Sequence, residues 1–320
     1  MRHNQKSVYT RTKGVSAIVF VFILIRVLPA IAEVKTVEFY SESVNRTMKY
    51  NIYLPDDYLS TKKSYPVLYL LHGLTSNYRA WANLGVPGYA SAYDLIVVMP
   101  DAGNSWYVNW AKSEGDQKNN WEDSIIKDLI PHVDGTYRTI NRREGRAING
   151  LSMGGYGAIM LGLKHPELFC SIGSHSGVIG YARSQKERLI KEEKPWVMWE
   201  ERMSDKPDPG IGIEGFSSQS ERSPKGQIFL TEEDCDVYNS FKLVLQIPKD
   251  KLPHIYIDCG TEDGLIRGAR DFIRVLEDKN IPFTYAQSKG GHSAEYWLRE
   301  VGLSMALQYH IIQRQLANMK

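Results

Sequence analysis

The segment Gly150-Leu151-Ser152-Met153-Gly154 carries a G-x-S-x-G pattern, in which a serine hydroxyl can act as a nucleophile. In such a segment the serine lies in a sharp turn between a strand and a helix, so its hydroxyl is exposed above the sheet. The flanking glycines are required because a Cβ at either position would collide with the neighbouring backbone. We therefore interpret Ser152 as a nucleophile that attacks a carbonyl carbon.

A nucleophilic serine needs a base within hydrogen-bond reach and an acid that orients the base. After this kind of turn, the acid and then the histidine follow along the chain. Asp263 comes directly after the apolar run His254–Cys259, and His292 comes after the run Phe283–Gln287. Because parallel strands bring ligands to their carboxyl ends, the sequence predicts a triad of Ser152, Asp263 and His292.

Other residues compete for the roles of acid and base. Glu262 is adjacent to Asp263 and would point elsewhere, while Asp258 lies within the preceding predicted strand. A lone histidine is more often structural than catalytic, but His292 has a glycine-rich loop and the required place in chain order. We therefore prefer it to the remaining histidines near these motifs, which are His72, His165 and His175.

Two backbone N–H groups are predicted to bind the negative oxygen that forms during attack. Such donors come from the residue after the nucleophile and from the loop after the third strand. These positions are Met153 and Leu74. We expect His72 and Gly73 to shape that loop, with no proton transfer by His72.

The remaining chain alternates apolar runs with helical periodicity. The predicted buried strands are Val67–Leu71, Leu95–Asp101, Arg146–Asn149, Ser171–Ser174, His254–Cys259 and Phe283–Gln287. The predicted helices are Tyr78–Leu84, Trp121–Tyr137, Met153–Lys164, Leu265–Lys279 and Ala294–Leu316. Two further β-rich segments, Val34–Tyr40 and Lys49–Leu54, predict an edge hairpin. The alternation predicts an α/β fold with a mostly parallel central sheet and helices on both faces.

Residues 178–248 interrupt this alternation with charge runs and Pro/Gly-rich sequence. We interpret this interval as a lid-like insertion over the active-site face, within one domain that spans residues 33–320. Cys170, Cys235 and Cys259 are too few for a disulfide scaffold and have no metal-ligand spacing. An exported protein can still pair two of them, and the sequence does not choose which.

Residues 1–32 have the pattern of a secretory signal peptide. A basic segment without acidic residues precedes the apolar run Val15–Ile25, and an A-x-A-like site ends at Ala32. Removal of the segment takes away five of the 39 Lys and Arg residues and leaves 34 against 37 Asp and Glu, a net charge of −3. We therefore expect an exported protein without a nucleic-acid partner or stable membrane association; an uncleaved membrane anchor is the alternative.

Four motifs together resemble the putative-esterase (esterase D) family of α/β-hydrolases. They are His72-Gly73-Leu74-Thr75-Ser76-Asn77, Pro100-Asp101-Ala102-Gly103-Asn104-Ser105-Trp106-Tyr107, Gly150-Leu151-Ser152-Met153-Gly154-Gly155-Tyr156-Gly157-Ala158 and Gly260-Thr261-Glu262-Asp263. The third motif, which contains Ser152 and Tyr156, looks more similar to the feruloyl and tributyrin esterase branch than to the S-formylglutathione hydrolases. The resemblance implies the α/β-hydrolase fold and a serine ester hydrolase that needs no metal or cofactor.

The substrate is expected to be a small-molecule or oligosaccharide ester with a short or aromatic acyl group. The loop residues Trp106, Tyr107 and Trp110 follow a strand's carboxyl end and can stack on sugar rings; packing of the loop on the core is the alternative. Three other functions stay open. They are acyl transfer of the mycolyltransferase type, a thioesterase similar to the S-formylglutathione hydrolases, and a binding module without catalysis.

The signal-peptide hypothesis makes a direct prediction. After expression in an export-competent host, N-terminal sequencing should find the mature chain beginning at or near Glu33, because cleavage follows small residues. A soluble cytosolic pool that retains Met1 would contradict export.

Overall fold

The structure is a computed structural model that describes residues 34–191 and 224–319. The predicted signal peptide, residues 1–32, and the interval 192–223 of the predicted insertion lie outside the described residues. The strands are β1 Val34–Ser41, β2 Arg46–Tyr53, β3 Val67–Leu71, β4 Ile96–Pro100, β5 Lys112–Ser113, β6 Arg146–Gly150, β7 Ser171–His175, β8 Gly226–Gln227, β9 His254–Gly260 and β10 Phe283–Ser288.

Helices alternate with the strands along the chain, and four of them, α2, α6, α7 and α8, are additional to those that the sequence predicts. The α-helices are α1 Ala80–Asn83, α2 Val86–Ala90, α3 Trp121–Asp123, α4 Ile130–Thr136, α5 Met153–Lys164, α6 Tyr181–Ile190, α7 Glu232–Val237, α8 Ser240–Gln246, α9 Ile266–Asp278 and α10 Ala294–Ala317. A π-helical turn, Ser124–Leu129, joins α3 to α4, and short 3₁₀ turns occupy Arg143–Gly145 and Lys249–Lys251.

Eight strands form one sheet in the order β1-β2-β4-β3-β6-β7-β9-β10. The six strands from β4 to β10 run parallel, whereas β1 and β2 pair antiparallel with each other and β2 pairs antiparallel with β4. The predicted mostly parallel sheet and its edge hairpin are therefore confirmed. β5 and β8 form a separate two-stranded ribbon.

The sheet is buried on both faces, which explains why its strands are continuous apolar runs. In β3, Val67, Tyr69 and Leu71 belong to one hydrophobic cluster, while Leu68 and Leu70 belong to the cluster on the opposite face. The first cluster includes residues of α5 and α9, and the second includes residues of α1, α2 and α10. The predicted layer of helices on each face is confirmed.

Two helical predictions differ in detail from the structure. The helix expected over Tyr78–Leu84 is instead the pair α1 and α2, because Gly85 adopts a left-handed φ of 86° and ends the first helix. The predicted helix Trp121–Tyr137 contains the π-helical turn, which ends two residues before Pro131. Proline has no N–H to donate and its ring crowds the preceding turn, and a widened turn accommodates both effects.

The described part of the predicted insertion contains α6, β8, α7 and α8. α6 packs on α7, and α8 packs on α5. Buried residues of all three helices belong to the same hydrophobic cluster as those of α5, so the helices lie on the same side of the sheet as α5. The three cysteines are free and buried, and burial raises the pKa of each thiol to about 12. Among residues 34–191 and 224–319, none of the helices has the length and apolar character that crossing a membrane requires.

Candidate active site

Ser152 lies in the sharp turn between β6 and α5, as the sequence pattern predicts. Its backbone has φ 54° and ψ −116°, a conformation that residues with a side chain rarely adopt, and its N–H donates to the carbonyl of His175 at 2.9 Å. A Cβ on Gly150 would lie 2.3 Å from the Gly154 carbonyl oxygen, and one on Gly154 would lie 2.4 Å from the Leu71 oxygen. Both flanking positions therefore require glycine.

The three residues of the predicted triad lie in one hydrogen-bonded row. Ser152 Oγ is 3.0 Å from His292 Nε2, and His292 Nδ1 is 2.9 Å from Asp263 Oδ2. The His292 side chain is 37% exposed, whereas the Asp263 side chain is 1% exposed. This arrangement leaves the histidine open to a substrate and keeps water away from the carboxylate that faces it.

The carboxylate of Asp263 is held in its ionised form. Burial by itself would raise its pKa, but the hydrogen bond and charge of His292, with the N–H of Leu265 donating at 2.8 Å, lower the pKa below its usual value. Asp263 therefore accepts a hydrogen bond from Nδ1–H of His292 and leaves Nε2 as the atom that can take a proton from Ser152.

Backbone hydrogen bonds join the loop that carries Asp263 to the loop that carries His292. The N–H of Thr261 donates to the carbonyl of Ser288 at 3.0 Å, and the N–H of Glu262 donates to that of Gly290 at 2.9 Å. α10 begins at Ala294, two residues after His292, and Ser293 caps its N-terminus. Acid and base thus reach the serine as one connected unit.

The competing acids and histidines do not belong to this row of hydrogen bonds. The Glu262 side chain is exposed, whereas that of Asp263 is buried against His292. His165 Nε2 lies 2.7 Å from Glu122, away from the row. His175 is fully buried, with Nδ1 2.5 Å from Asp258.

His72 shapes the loop after β3, as predicted. Its Nε2 accepts from the N–H of Ala102 at 3.0 Å, so the ring proton is on Nδ1, which lies 2.7 Å from the carbonyl of Gly73. Both ring nitrogens are engaged and the residue is 1% exposed, which leaves it no part in proton transfer.

The two predicted oxyanion donors border the nucleophile. Met153 is the first residue of α5, where backbone N–H groups have no carbonyl one turn earlier to bind. Leu74 follows Gly73, and a Cβ built on Gly73 would lie 3.3 Å from Cβ of Ser152. The loop after β3 therefore passes close to the serine.

Residues from the loop after β4 hold the Leu74 loop in place, a role that the sequence analysis missed. Asn104 Oδ1 accepts from the N–H of Thr75 at 2.7 Å, and the hydroxyl of Tyr107 donates to the carbonyl of His72 at 2.9 Å. Thr75 has φ 67°, so its backbone needs such support. The signal was available, because Asn104 and Tyr107 belong to one of the four quoted motifs.

The loop aromatics are mostly unavailable to a substrate, which corrects the prediction that they stack on sugar rings. Tyr107 is fully buried, and Trp106 is 7% exposed. The Trp106 ring stacks on Tyr181 of α6 at a centroid distance of 3.5 Å, so one of its faces is covered. Trp110 is partly buried, and its Nε1 donates to the Ser105 carbonyl at 3.0 Å. The alternative of packing on the core accounts for these contacts.

Comparison with known proteins assigns the chain to a family. The family described as putative esterase matches residues 41–301. The chain belongs to this esterase family. Its matched region contains all three residues of the row and both predicted oxyanion positions, and the resemblance drawn from the four motifs is confirmed.

Curated relatives of this esterase-family chain carry esterase names. Esterases from two strains of Mycobacterium tuberculosis are each 32% identical over 248 residues, which are 76% of this chain and 52% of theirs. The chain thus spans about half the length of these relatives. An acetyl esterase of Caldicellulosiruptor saccharolyticus is 24% identical over 274 residues, 82% of this chain and 92% of that protein.

Solved structures establish the fold. A ferulic acid esterase is 24% identical with a TM-score of 0.64, covering 87% of this chain and 98% of that one. An S-formylglutathione hydrolase of Staphylococcus aureus is 19% identical, with the same TM-score and the same coverage. The predicted α/β-hydrolase fold is confirmed.

The packing of Trp106 yields a prediction. Trp106→Ala should lower the melting temperature and reduce turnover of both p-nitrophenyl acetate and an acylated oligosaccharide, because truncating a buried aromatic costs about 3–5 kcal/mol of unfolding free energy. Tyr40→Ala, at a site 53% exposed, is the control and should change that free energy by no more than about 0.5 kcal/mol. An unchanged melting temperature with a raised KM for the oligosaccharide alone would restore the sugar-stacking hypothesis.

Proposed function

We propose that this chain is a serine carboxylic-ester hydrolase in which Ser152 is the nucleophile, His292 the general base and Asp263 the residue that orients His292. The row Ser152 Oγ, His292 Nε2, His292 Nδ1 and Asp263 Oδ2, joined at 3.0 and 2.9 Å, carries the proposal. Membership of the esterase family and the esterase names of its relatives support it.

Acylation follows from the order of these atoms. Ser152 Oγ attacks the ester carbonyl carbon while its proton passes to His292 Nε2, and the carbonyl oxygen becomes negative. The N–H groups of Met153 and Leu74 bind that oxygen. The bond to the alcohol then breaks, and His292 gives its proton to the leaving oxygen. An acyl group remains on Ser152.

Deacylation repeats these steps with water. His292 removes a proton from a water molecule as the water oxygen attacks the acyl carbon, and the proton then returns to Ser152 when the acid leaves. Asp263 stays ionised throughout and stabilises the positive imidazolium that forms in each half of the reaction. No step requires a metal or an organic cofactor.

The proposed substrates are short-chain or aromatic acyl esters of carbohydrates. The name of the acetyl esterase relative supports a short acyl group, and the name of the ferulic acid esterase neighbour supports an aromatic one. Both are names of other proteins, and the contacts of Trp106 and Tyr107 give the sugar part no direct support. We also propose that the protein is exported after cleavage near Ala32, which would give the enzyme access to carbohydrate esters outside the cytoplasm.

Ser152→Ala should abolish ester hydrolysis and leave the melting temperature nearly unchanged, because Oγ is needed only for covalent chemistry. Loss of a triad residue costs several orders of magnitude in rate, so the variant should retain less than about a thousandth of wild-type turnover. Mass spectrometry after treatment with a fluorophosphonate should find the adduct on Ser152. An adduct on Ser176 or Ser293 would assign the nucleophile elsewhere.

A substrate panel tests the specificity. The purified mature protein should hydrolyse p-nitrophenyl acetate, and its kcat/KM should be higher on acetylated xylan or methyl ferulate than on S-formylglutathione. A preference for the thioester would contradict the carbohydrate-ester proposal and favour the thioesterase alternative. The Ser152→Ala variant, run on the same panel, corrects for uncatalysed hydrolysis.

A further inference from the structure

A second serine–histidine–aspartate arrangement lies behind the active site. Asp258 Oδ2 is 2.5 Å from His175 Nδ1, and His175 Nε2 is 2.8 Å from Ser304 Oγ. These distances resemble those of the catalytic row, but all three residues are 0% exposed. An ester cannot reach this serine, so the arrangement requires another explanation.

Polar contacts surround the Ser304 hydroxyl and the His175 ring. The hydroxyl of Ser304 donates to the carbonyl of Val301 at 3.0 Å, and its oxygen lies 2.8 Å from Nε2 of His175. Asn149 Nδ2 lies within 3.2 Å of Ser304 Oγ, Gln308 Oε1 and His175 Nε2. Nδ1 of His175 and Oδ2 of Asp258 approach closely as a charged pair without hydrogen-bond geometry.

Each strand or helix that carries a catalytic residue contributes to this cluster. Asn149 lies in β6, three residues before Ser152; Asp258 lies in β9, five residues before Asp263. Ser304 lies in α10, the helix that begins two residues after His292, and Gln308 of the same helix donates to the carbonyl of Ile148 in β6 at 3.2 Å. The cluster thus joins the three elements that deliver the catalytic residues.

His175 also contacts the nucleophile through its backbone. Its carbonyl accepts the N–H of Ser152 at 2.9 Å, and the next N–H, of Ser176, donates to the carbonyl of Asp258 at 2.9 Å. The carbonyl that stabilises the unusual backbone of Ser152 therefore belongs to the residue whose ring lies in the buried cluster. The side chain and the main chain of the same residue connect the cluster to the serine.

Burial makes this cluster costly, which argues for a specific role. Removing a carboxylate and an imidazole from water costs free energy that their attraction often fails to recover, and apolar residues of equal volume would pack as stably. Burial first, and then the negative charge of Asp258, raise the pKa of the neighbouring Tyr256 and Tyr296 phenols. Unlike an apolar cluster, a polar cluster forms directional contacts, and these favour a single arrangement of the strands and the helix that carry them.

The structure assigns His175, Asp258 and Ser304 as positioning residues of the esterase. They hold the ends of β6, β7 and β9 and the helix α10 in the one arrangement in which Ser152, Asp263 and His292 meet. The assignment rests on the proposed function, because it explains how that triad is aligned. A misplacement of about 1 Å in reacting groups can reduce the rate about 100-fold, so such residues affect kcat without touching a substrate.

The test compares Asp258→Ala, Asp258→Asn and Ser304→Ala with the control His165→Gln. The control breaks another histidine–carboxylate contact, His165 Nε2 to Glu122 at 2.7 Å, in which the histidine is 22% exposed and which lies in a part of the chain away from the triad. Ser304→Ala removes only a hydroxyl from a helix and favours helix formation, so it is expected to fold. Each variant is measured well below its melting temperature, with p-nitrophenyl acetate and with the rate of fluorophosphonate labelling of Ser152.

Asp258→Ala should lower kcat about 10- to 100-fold per folded molecule, with KM within about twofold and a parallel fall in the labelling rate. Asp258→Asn keeps a polar group against Nδ1 and should retain more activity than Asp258→Ala. Ser304→Ala should lower kcat by less than Asp258→Ala, and His165→Gln should keep wild-type kcat even if its melting temperature falls.

Wild-type kcat and labelling rate in both Ser304→Ala and the Asp258 variants would overturn the assignment and leave a purely structural cluster. An equal loss in His165→Gln would also overturn it, because breaking a histidine–carboxylate contact elsewhere in the chain would then have the same effect. Failure of the wild-type protein to label at Ser152 would instead refute the proposed function itself, so the two failures are distinguishable.

Discussion

The unusual backbone of Ser152 is the constraint on which the rest of the site depends. With φ 54° and ψ −116°, the residue occupies a conformation that costs on the order of 1–3 kcal/mol and persists only where its surroundings hold it. Gly150 and Gly154 allow the backbone to approach closely, and the carbonyl of His175 binds the serine N–H. The hydroxyl is thereby raised to the carboxyl edge of the sheet, where His292 and Asp263 arrive from two loops.

Burial separates the two serine–histidine–aspartate rows, which have similar distances. In one row the aspartate is buried and the histidine is 37% exposed, so a substrate can reach the atoms that react. In the other row every member is 0% exposed, and its hydrogen bonds connect strands to a helix. On the two proposals made above, the same residue types carry out ester hydrolysis at the edge of the sheet and align the catalytic residues from behind it.

The loop after β4 shows how a motif with the composition of a binding site can instead make its contacts within the protein. Its aromatic and amide groups suggest a sugar site, yet Asn104 binds the N–H of Thr75 and Tyr107 binds the carbonyl of His72. Trp106 stacks on Tyr181 of α6. The motif therefore supports the loop that carries Leu74 and connects it to the described part of the predicted insertion.

Local sequence determined the turn around Ser152, the strands of the parallel sheet and the chain order of acid and base. These features depend on glycine sterics, continuous apolar runs and turn chemistry, which act over a few residues. Local sequence also predicted which of Glu262 and Asp263 faces His292. It did not reveal that His175, Asp258 and Ser304 form a buried cluster, or that Trp106 packs on Tyr181. These pairs are separated by tens of residues, and only tertiary packing decides which polar groups are removed from water and which partner each one meets.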